Sequence, residues 1–237
     1  MKKQFAALIF AALPVFGFAA AANDYPMEEV TIDLRDQAAM QDGLKTFTNY
    51  CMGCHGAKFQ RYERVANDLG ISEEDMMENI VLTDARIGDH MKSAMTDAQA
   101  KQWFGVVPPD LTMVARVRGA DWLYNYMLTF YEDPSRPLGA NNKVFKDVGM
   151  PNVLVGLQGN QVCGNEDCST LVIEEGTGTQ TPEEFRETVK NLVTFLEYSA
   201  NPVKLKSQRI GTYVLIFLAI LFVFAYLLKR EYWKDVK

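Results

Sequence analysis

The most specific chemical signal in the sequence is a pair of cysteines followed directly by a histidine, Cys51-Met52-Gly53-Cys54-His55. Two thiols at this spacing on one turn can reach the two vinyl groups at one edge of a haem, and the adjacent imidazole can reach the iron. A thioredoxin-like dithiol would need a βαβ context, and a zinc site would need a second ligand pair with a histidine nearby. The sequence offers neither. The motif therefore predicts one covalent haem, attached at Cys51 and Cys54 and bound to iron through His55.

The sixth iron ligand must come from a distant part of the chain. Met150 lies in the non-helical sequence Val148-Gly149-Met150-Pro151, where glycine frees the backbone and proline stiffens it. Such a segment suits a ligand held against a haem face. His90 is the only other histidine, and other methionines compete, although several lie in predicted helices where Met usually fills a core: Met91, Met95 and Met127. The residues favour Met150 and leave His90, another methionine or an open position as alternatives.

The N-terminus has the layout of a secretory signal peptide. Lys2 and Lys3 precede an apolar run, and the small residues Ala20-Ala21-Ala22 precede the polar Asn23. This pattern predicts a signal peptide over residues 1–22 rather than an uncleaved membrane helix, because the apolar run is short for a span.

The C-terminal part contains a predicted membrane span over residues 209–228. Ile210 to Leu228 is a run of 19 residues without a charge, which as a helix covers roughly 28 Å, close to the hydrocarbon thickness of a bilayer. Lys229, Arg230 and Lys234 follow it, so the tail 229–237 should be cytoplasmic. Both segments place residues 23–208 outside the cytoplasm, and in a bacterium this means the periplasmic face of the inner membrane.

The predicted periplasmic domain, residues 23–208, is strongly acidic. It holds 28 acidic and 17 basic residues, a net charge of −11. Nucleic acid is excluded as an expected partner, while a basic protein partner fits this charge. Acidic surfaces also serve solubility, so the charge alone does not identify the partner.

A second cysteine pair, Cys163 and Cys168, encloses a short polar stretch. In an oxidising compartment a structural disulfide is the expected state, with a redox-active pair as the alternative.

The pattern of elements predicts a mainly α fold with much irregular chain. Asp36 is a predicted cap for a helix that runs to about Tyr50 and leads into the haem motif. A second helix is predicted over residues 120–131. A capping box at Thr181 starts a third helix, which ends at Asn201-Pro202. Residues 156–180 are predicted to form a loop or a short hairpin.

Taken in order, these residues resemble the cytochrome c1 family, the haem-c subunit of the cytochrome bc1 complex (quinol–cytochrome c oxidoreductase). The resemblance rests on the haem motif, Pro108-Pro109-Asp110-Leu111-Thr112, Gly149-Met150-Pro151, the capped helix and the single C-terminal span. It covers essentially the whole mature chain. The haem motif is shared by all c-type cytochromes, whereas the combination is specific.

The resemblance implies roles for individual residues. His55 would be the proximal iron ligand and Met150 the distal one, with Pro109 on the histidine side of the ring. Arg116 would pair with a haem propionate, with Arg118 as a close competitor. Aromatic walls of the haem pocket are expected from Trp122 and Tyr126.

The implied function is electron transfer without bond chemistry on a substrate. The haem would take an electron from a Rieske iron–sulfur subunit and pass it to a cytochrome c, beside a cytochrome b subunit that handles quinol. Two alternatives remain from the residues alone: a stand-alone membrane-tethered shuttle, and a haem enzyme or gas sensor with an open axial site. A shuttle usually needs a long flexible linker to its anchor, and only a short connector follows Asn201-Pro202.

Overall fold

A computed structural model describes residues 25–235. The predicted signal peptide, residues 1–22, lies outside the described residues, as do the last two residues of the predicted tail. The described chain combines helices with long irregular connections, which confirms the predicted mainly α fold.

The helices are α1 (Gln37–Thr46), α2 (Tyr62–Leu69), α3 (Glu73–Asn79), α4 (Asp97–Phe104), α5 (Val114–Arg118), α6 (Ala120–Leu128), α7 (Val155–Gln158), α8 (Pro182–Ala200) and α9 (Lys204–Tyr232). A π-helical turn, Phe47–Cys51, continues α1. The strands form three antiparallel pairs: β1 (Ala57–Arg61) with β2 (His90–Met91), β3 (Phe130–Glu132) with β4 (Ala140–Asn142), and β5 (Gln161–Cys163) with β6 (Leu171–Ile173).

Helices α1 and α8 form the centre of the core. Both begin at the predicted caps: the Asp36 side chain accepts from the Ala39 amide, and Thr181 and Glu184 form a reciprocal capping box. The two helices approach most closely at Gly43, where an added Cβ would lie 2.8 Å from the Cβ of Phe195. Phe47 and Phe195 are fully buried with ring centroids 5.5 Å apart. This packing fixes the end of α1, and therefore the position of the haem motif that follows it.

Helix α6 is shorter than the sequence predicted. The prediction extended to residue 131, but the helix ends at Leu128, and Thr129 lies outside helical geometry at φ −113° and ψ 20°. Phe130–Glu132 then pairs with Ala140–Asn142. Aromatic and β-branched residues favour an extended strand, and here pairing with β4 prevails over helix continuation.

Helix α9 is long and apolar enough to cross a membrane by length and composition, with a mean hydropathy of 2.5 in its apolar window. It contains the predicted span and begins earlier, at Lys204, so the predicted connector is itself largely helical. Only Asn201–Val203 separates α8 from α9. The Lys204 ammonium lies 2.7 Å from the Glu197 carboxylate across this junction. The domain and its candidate membrane helix are therefore joined by a short connection.

Candidate functional site

The two cysteines and the histidine of the motif lie on one tight turn. The π-helical turn ends at Cys51, whose carbonyl oxygen accepts from the amides of Cys54, at 3.1 Å, and His55, at 2.8 Å. Both thiols are free, with Cys51 buried and Cys54 half-buried. Single π-helical turns are frequent at functional sites. Here the π-helical turn ends at the first of three potential haem-binding groups, which lie within the five residues 51–55.

The imidazole of His55 is held in one orientation. Its Nδ1 atom lies 2.7 Å from the carbonyl oxygen of Pro109. A carbonyl can only accept, so Nδ1 must carry a proton, and in the neutral ring Nε2 then presents a lone pair. Burial lowers the pKa of His55, which favours the neutral ring. A neutral imidazole whose second nitrogen is tied to a carbonyl is the form that binds a metal ion.

Local hydrogen bonds fix the segment that supplies this carbonyl. The Leu111 amide donates to the Gly56 carbonyl at 2.8 Å, and the Asp110 carboxylate accepts from the Lys58 amide at 2.8 Å. A Cβ at Gly56 would lie 3.2 Å from that carboxylate. The Pro109 segment thus lies directly against the chain that follows His55.

A cavity of about 360 Å³ opens beside the motif and has mostly apolar and aromatic walls. This volume lies within the usual range for small-molecule and cofactor sites. The predicted site residues that line it are Cys51, Cys54, His55, Pro109, Trp122, Tyr126 and Met150. Sequence analysis did not identify several other residues that line the cavity, among them Phe104, Val106, Leu123, Phe145 and Leu196.

The side chains of Met150 and Tyr126 meet in this cavity. The Tyr126 hydroxyl lies 3.4 Å from the Met150 sulfur and can donate to it. Burial raises the pKa of Tyr126, so the hydroxyl keeps its proton. Trp122 stacks on Tyr126 with ring centroids 4.8 Å apart. These contacts hold the thioether at a defined place in the cavity wall.

The structure also places the competing ligands. His90 does not line the cavity, and neither do Met91 and Met95. Met91 is buried in β2 and Met95 lies in a bend, so their predicted helical settings are wrong. Among the methionines of residues 25–235, Met127 and Met150 line the cavity.

Of the two arginines considered for a propionate, Arg118 lies at the cavity. Its guanidinium lies 4.9 Å from the Trp122 ring centroid and 5.9 Å from that of Phe145. Arg116 is exposed on α5 and is not a lining residue. The geometry favours Arg118 over Arg116 for any anionic group at the edge of the cavity.

The residues present fit a covalently attached haem. Burial raises the pKa of the Cys51 thiol to about 12, so the free side chain stays uncharged in this apolar wall. A thioether is uncharged and suits the same position. Two free thiols, a neutral imidazole, a thioether sulfur and apolar walls are the groups that a haem c requires.

Comparison with known proteins gives a consistent result. The Cytochrome C1 family matches residues 27–236. The chain belongs to the cytochrome c1 family. It is 46% identical to the cytochrome c1 of Allochromatium vinosum over the full length of both chains. It is also 42% identical to the ammonia monooxygenase gamma subunit of Nitrosomonas europaea over 90% of each chain.

Among solved structures, a chain of a hyperthermophilic respiratory Complex III matches 99% of this chain and 94% of its own length, with 18% identity and a TM-score of 0.48. Membership of the cytochrome c1 family makes the chain an electron-transfer subunit of the bc1 complex, with haem c as the family's cofactor. The predicted family and the predicted electron-transfer function are thereby confirmed.

The disulfide prediction is also confirmed: Cys163 and Cys168 are joined, with Cα atoms 4.6 Å apart. The bond closes the turn between β5 and β6, which form the short hairpin predicted within residues 156–180.

Proposed function

We propose that the chain binds a single haem c through thioether bonds to Cys51 and Cys54, with the His55 Nε2 atom and the Met150 sulfur as axial ligands. The observation that carries this proposal is the meeting of both candidate ligands at one apolar cavity, each oriented by a hydrogen bond. A bound haem c supplies a one-electron iron couple, whose potential His and Met ligation raises. The protein groups would orient the ligands, and no Asp or Glu of residues 25–235 lines the cavity.

The electron would come from a Rieske iron–sulfur subunit and leave to a cytochrome c, while quinol chemistry would belong to a cytochrome b subunit. In this arrangement the chain performs no bond chemistry. The haem domain would face the periplasm, and α9 would anchor it in the bacterial inner membrane with a cytoplasmic C-terminus. Support for the anchor comes from the apolar, exposed surface of α9 and from Lys229 and Arg230 at its end.

The short junction at Asn201–Val203 argues against a stand-alone shuttle, because a tethered domain that travels between partners needs a flexible linker. An enzyme or gas sensor with an open axial site would require Met150 to stay away from the iron. The hydrogen bond from Tyr126 to the Met150 sulfur argues against that alternative.

Detergent purification through a tag on this chain tests the proposal. We expect b-type haem and an iron–sulfur protein to co-purify, and one haem per chain that stays with the polypeptide after acid–acetone extraction. A haem-bearing chain that purifies alone would support the shuttle. Co-purification with other ammonia monooxygenase subunits, the assembly named for the Nitrosomonas europaea relative, would contradict the proposed complex.

A further inference from the structure

The loop that carries Met150 is tied to helix α6 by a buried asparagine. Asn142 is 1% exposed and lies at the end of β4. Its Nδ2 atom donates to the backbone carbonyl of Tyr126 at 2.7 Å. Its Oδ1 atom accepts from the amides of Val144 at 2.9 Å and Phe145 at 3.0 Å. One side chain therefore joins the backbone of Tyr126 to the start of the loop that leads to Met150.

From this geometry we propose that Asn142 is a positioning residue, which sets the distance between the Tyr126 hydroxyl and the Met150 sulfur and so stabilises Met150 as an iron ligand. The inference rests on the proposed function, because it takes Met150 as the axial ligand. Asn142 itself does not line the cavity. It acts through the backbone on both sides of the 3.4 Å contact between hydroxyl and sulfur.

A second buried asparagine holds the next part of the same loop. The Asn141 Oδ1 atom accepts from the Asp147 amide at 2.8 Å, and Asn141 is 4% exposed. Asp147 adopts a left-handed conformation with φ 61°, which is uncommon for a residue other than glycine. Arg136 bonds both the carboxylate and the carbonyl oxygen of Asp147, at 3.1 Å and 2.9 Å.

Such an unfavourable backbone persists only where the surrounding contacts impose it. The imposed turn lies three residues before Met150. The backbone between residues 147 and 150 is therefore held in one conformation beside the cavity. Asn142 sets the position of this segment relative to α6.

The chain after Met150 is anchored to the same end of α6. The Gln158 Nε2 atom donates to the Leu128 carbonyl at 3.0 Å, and the Gln161 Nε2 atom donates to the Phe130 carbonyl at 2.7 Å. Both glutamines are buried. These amides hold the loop to the C-terminal end of α6 but do not contact Tyr126. Of the four buried amide side chains that hold the loop, Asn142 is thus the one that bonds to Tyr126, whose hydroxyl donates to the Met150 sulfur.

The chain offers a closely matched control for a merely structural effect. Asn125 is adjacent to Tyr126 on α6, is 2% exposed, and also makes partly buried hydrogen bonds: its Nδ2 atom donates to the Glu28 carbonyl at 2.8 Å. Its partners lie in the N-terminal segment and on α6 rather than in the Met150 loop. Removing either amide deprives partly buried backbone groups of their partner and should lower the unfolding temperature similarly.

The test compares Asn142→Ala with Asn125→Ala in the full-length, haem-loaded protein in detergent. The readouts are the weak red charge-transfer band of Met-ligated ferric haem and the midpoint potential. For Asn142→Ala we expect a lower potential and an increase of about five- to tenfold in the fraction of ferric protein without the band, which is the effect of losing one hydrogen bond of ordinary strength. Asn125→Ala should keep the wild-type band and potential.

Two further variants keep the test decisive. Asn142→Ser retains a short acceptor for the loop amides but cannot reach the Tyr126 carbonyl. It should lower the midpoint potential by less than Asn142→Ala does, and it provides the test if Asn142→Ala fails to fold. Combining Asn142→Ala with Tyr126→Phe should shift the potential less than the sum of the two single shifts, because both act on one contact.

Equal potentials and bands in wild type and both Asn142 variants would overturn the inference. So would shifts in Asn125→Ala that are as large as those in Asn142→Ala. Met150→Leu, measured alongside, separates this failure from that of the proposed function. If Met150→Leu keeps the band, the ligand assignment itself is wrong. If it loses the band while the Asn142 variants do not change, only the inference about Asn142 fails.

Discussion

The Nδ1 atom of His55 lies 2.7 Å from the carbonyl oxygen of Pro109, a residue 54 positions further along the chain. This contact selects the tautomer of the neutral ring and leaves on Nε2 the lone pair that a metal ion would bind. The corresponding contact at the other candidate ligand joins the Tyr126 hydroxyl to the Met150 sulfur. In both cases a ligand from one segment is oriented by a group from another, so ligand geometry depends on the packing of the whole domain.

The close approach of α1 and α8 at Gly43 should make this residue intolerant of any side chain. A Cβ there would overlap the backbone of Asn191 and the side chain of Phe195. We expect Gly43→Ala to destabilise the domain by about 1–3 kcal/mol through overpacking, and to reduce the fraction of purified protein that carries haem.

The matched control is Gly156→Ala in α7, where an added Cβ meets nothing within 4 Å. It should be neutral or slightly stabilising. Thermal unfolding of both variants measures the difference, and equal unfolding temperatures would contradict the role of Gly43 in helix packing.

The features that sequence analysis identified are mainly local ones. The caps at Asp36 and Thr181 involve groups three residues apart, and the haem motif is a single turn. Gly43 shows the limit of such reasoning, because glycine in a helix normally indicates only lower helix propensity. Its function depends on α8, roughly 150 positions away.

Asn142 could not be predicted for a related reason. It contacts backbone groups, which carry no sequence signal, and it lies on a three-residue strand that sequence analysis did not predict. The choice between Arg116 and Arg118 likewise needed the orientation of α5 relative to α6, which sequence periodicity does not provide.

The disulfide between Cys163 and Cys168 should stabilise the domain modestly. Its loop is short, so loop-closure entropy gives about 2 kcal/mol, and the double variant Cys163→Ser, Cys168→Ser should lose up to that amount in denaturant unfolding. Haem content and potential should not change, since neither cysteine lines the cavity. Free thiols at both positions in non-reduced peptides from purified protein would contradict a structural disulfide.

The ion pair between Glu28 and Arg186 should make stability depend on acid pH. The two side chains form a bidentate pair at 2.6 Å and 3.2 Å, and the hydrogen bond from Arg186 lowers the pKa of Glu28. The folded state then holds Glu28 ionised at pH values where the unfolded chain takes up a proton. The resulting stability is present above the unfolded pKa and is lost as the pH falls through the folded pKa.

Both side chains are about half exposed, so Glu28→Gln should lose only about 0.5–1 kcal/mol at neutral pH. That loss should disappear in acid. Glu29→Gln, a change in the neighbouring exposed carboxylate, is the control and should leave stability unchanged at both pH values. A Glu28→Gln deficit that persists unchanged below the folded pKa would show that the ion pair is not its cause.

The negative net charge of the domain should increase the rate at which it associates with a basic cytochrome c. The net charge of −11 over residues 23–208 can act at a distance of roughly 30 Å at about 0.01 M ionic strength but only about 8 Å at 0.15 M. Some acidic groups already have local roles, such as Glu184 in its capping box. Stopped-flow oxidation should therefore slow steeply as salt rises, whereas a second-order rate constant independent of salt would show that the charge does not steer docking.

The central claim, that Met150 is the distal iron ligand, is tested most directly by exchanging the two methionines of the cavity one at a time. Met150→Leu and Met127→Leu are both nearly volume-conserving, and each should cost less than about 1.5 kcal/mol in packing. The measurement is the red charge-transfer band of the ferric protein, together with the midpoint potential. We predict that Met150→Leu abolishes the band and lowers the potential while Met127→Leu keeps both. A band that persists in Met150→Leu would contradict the account.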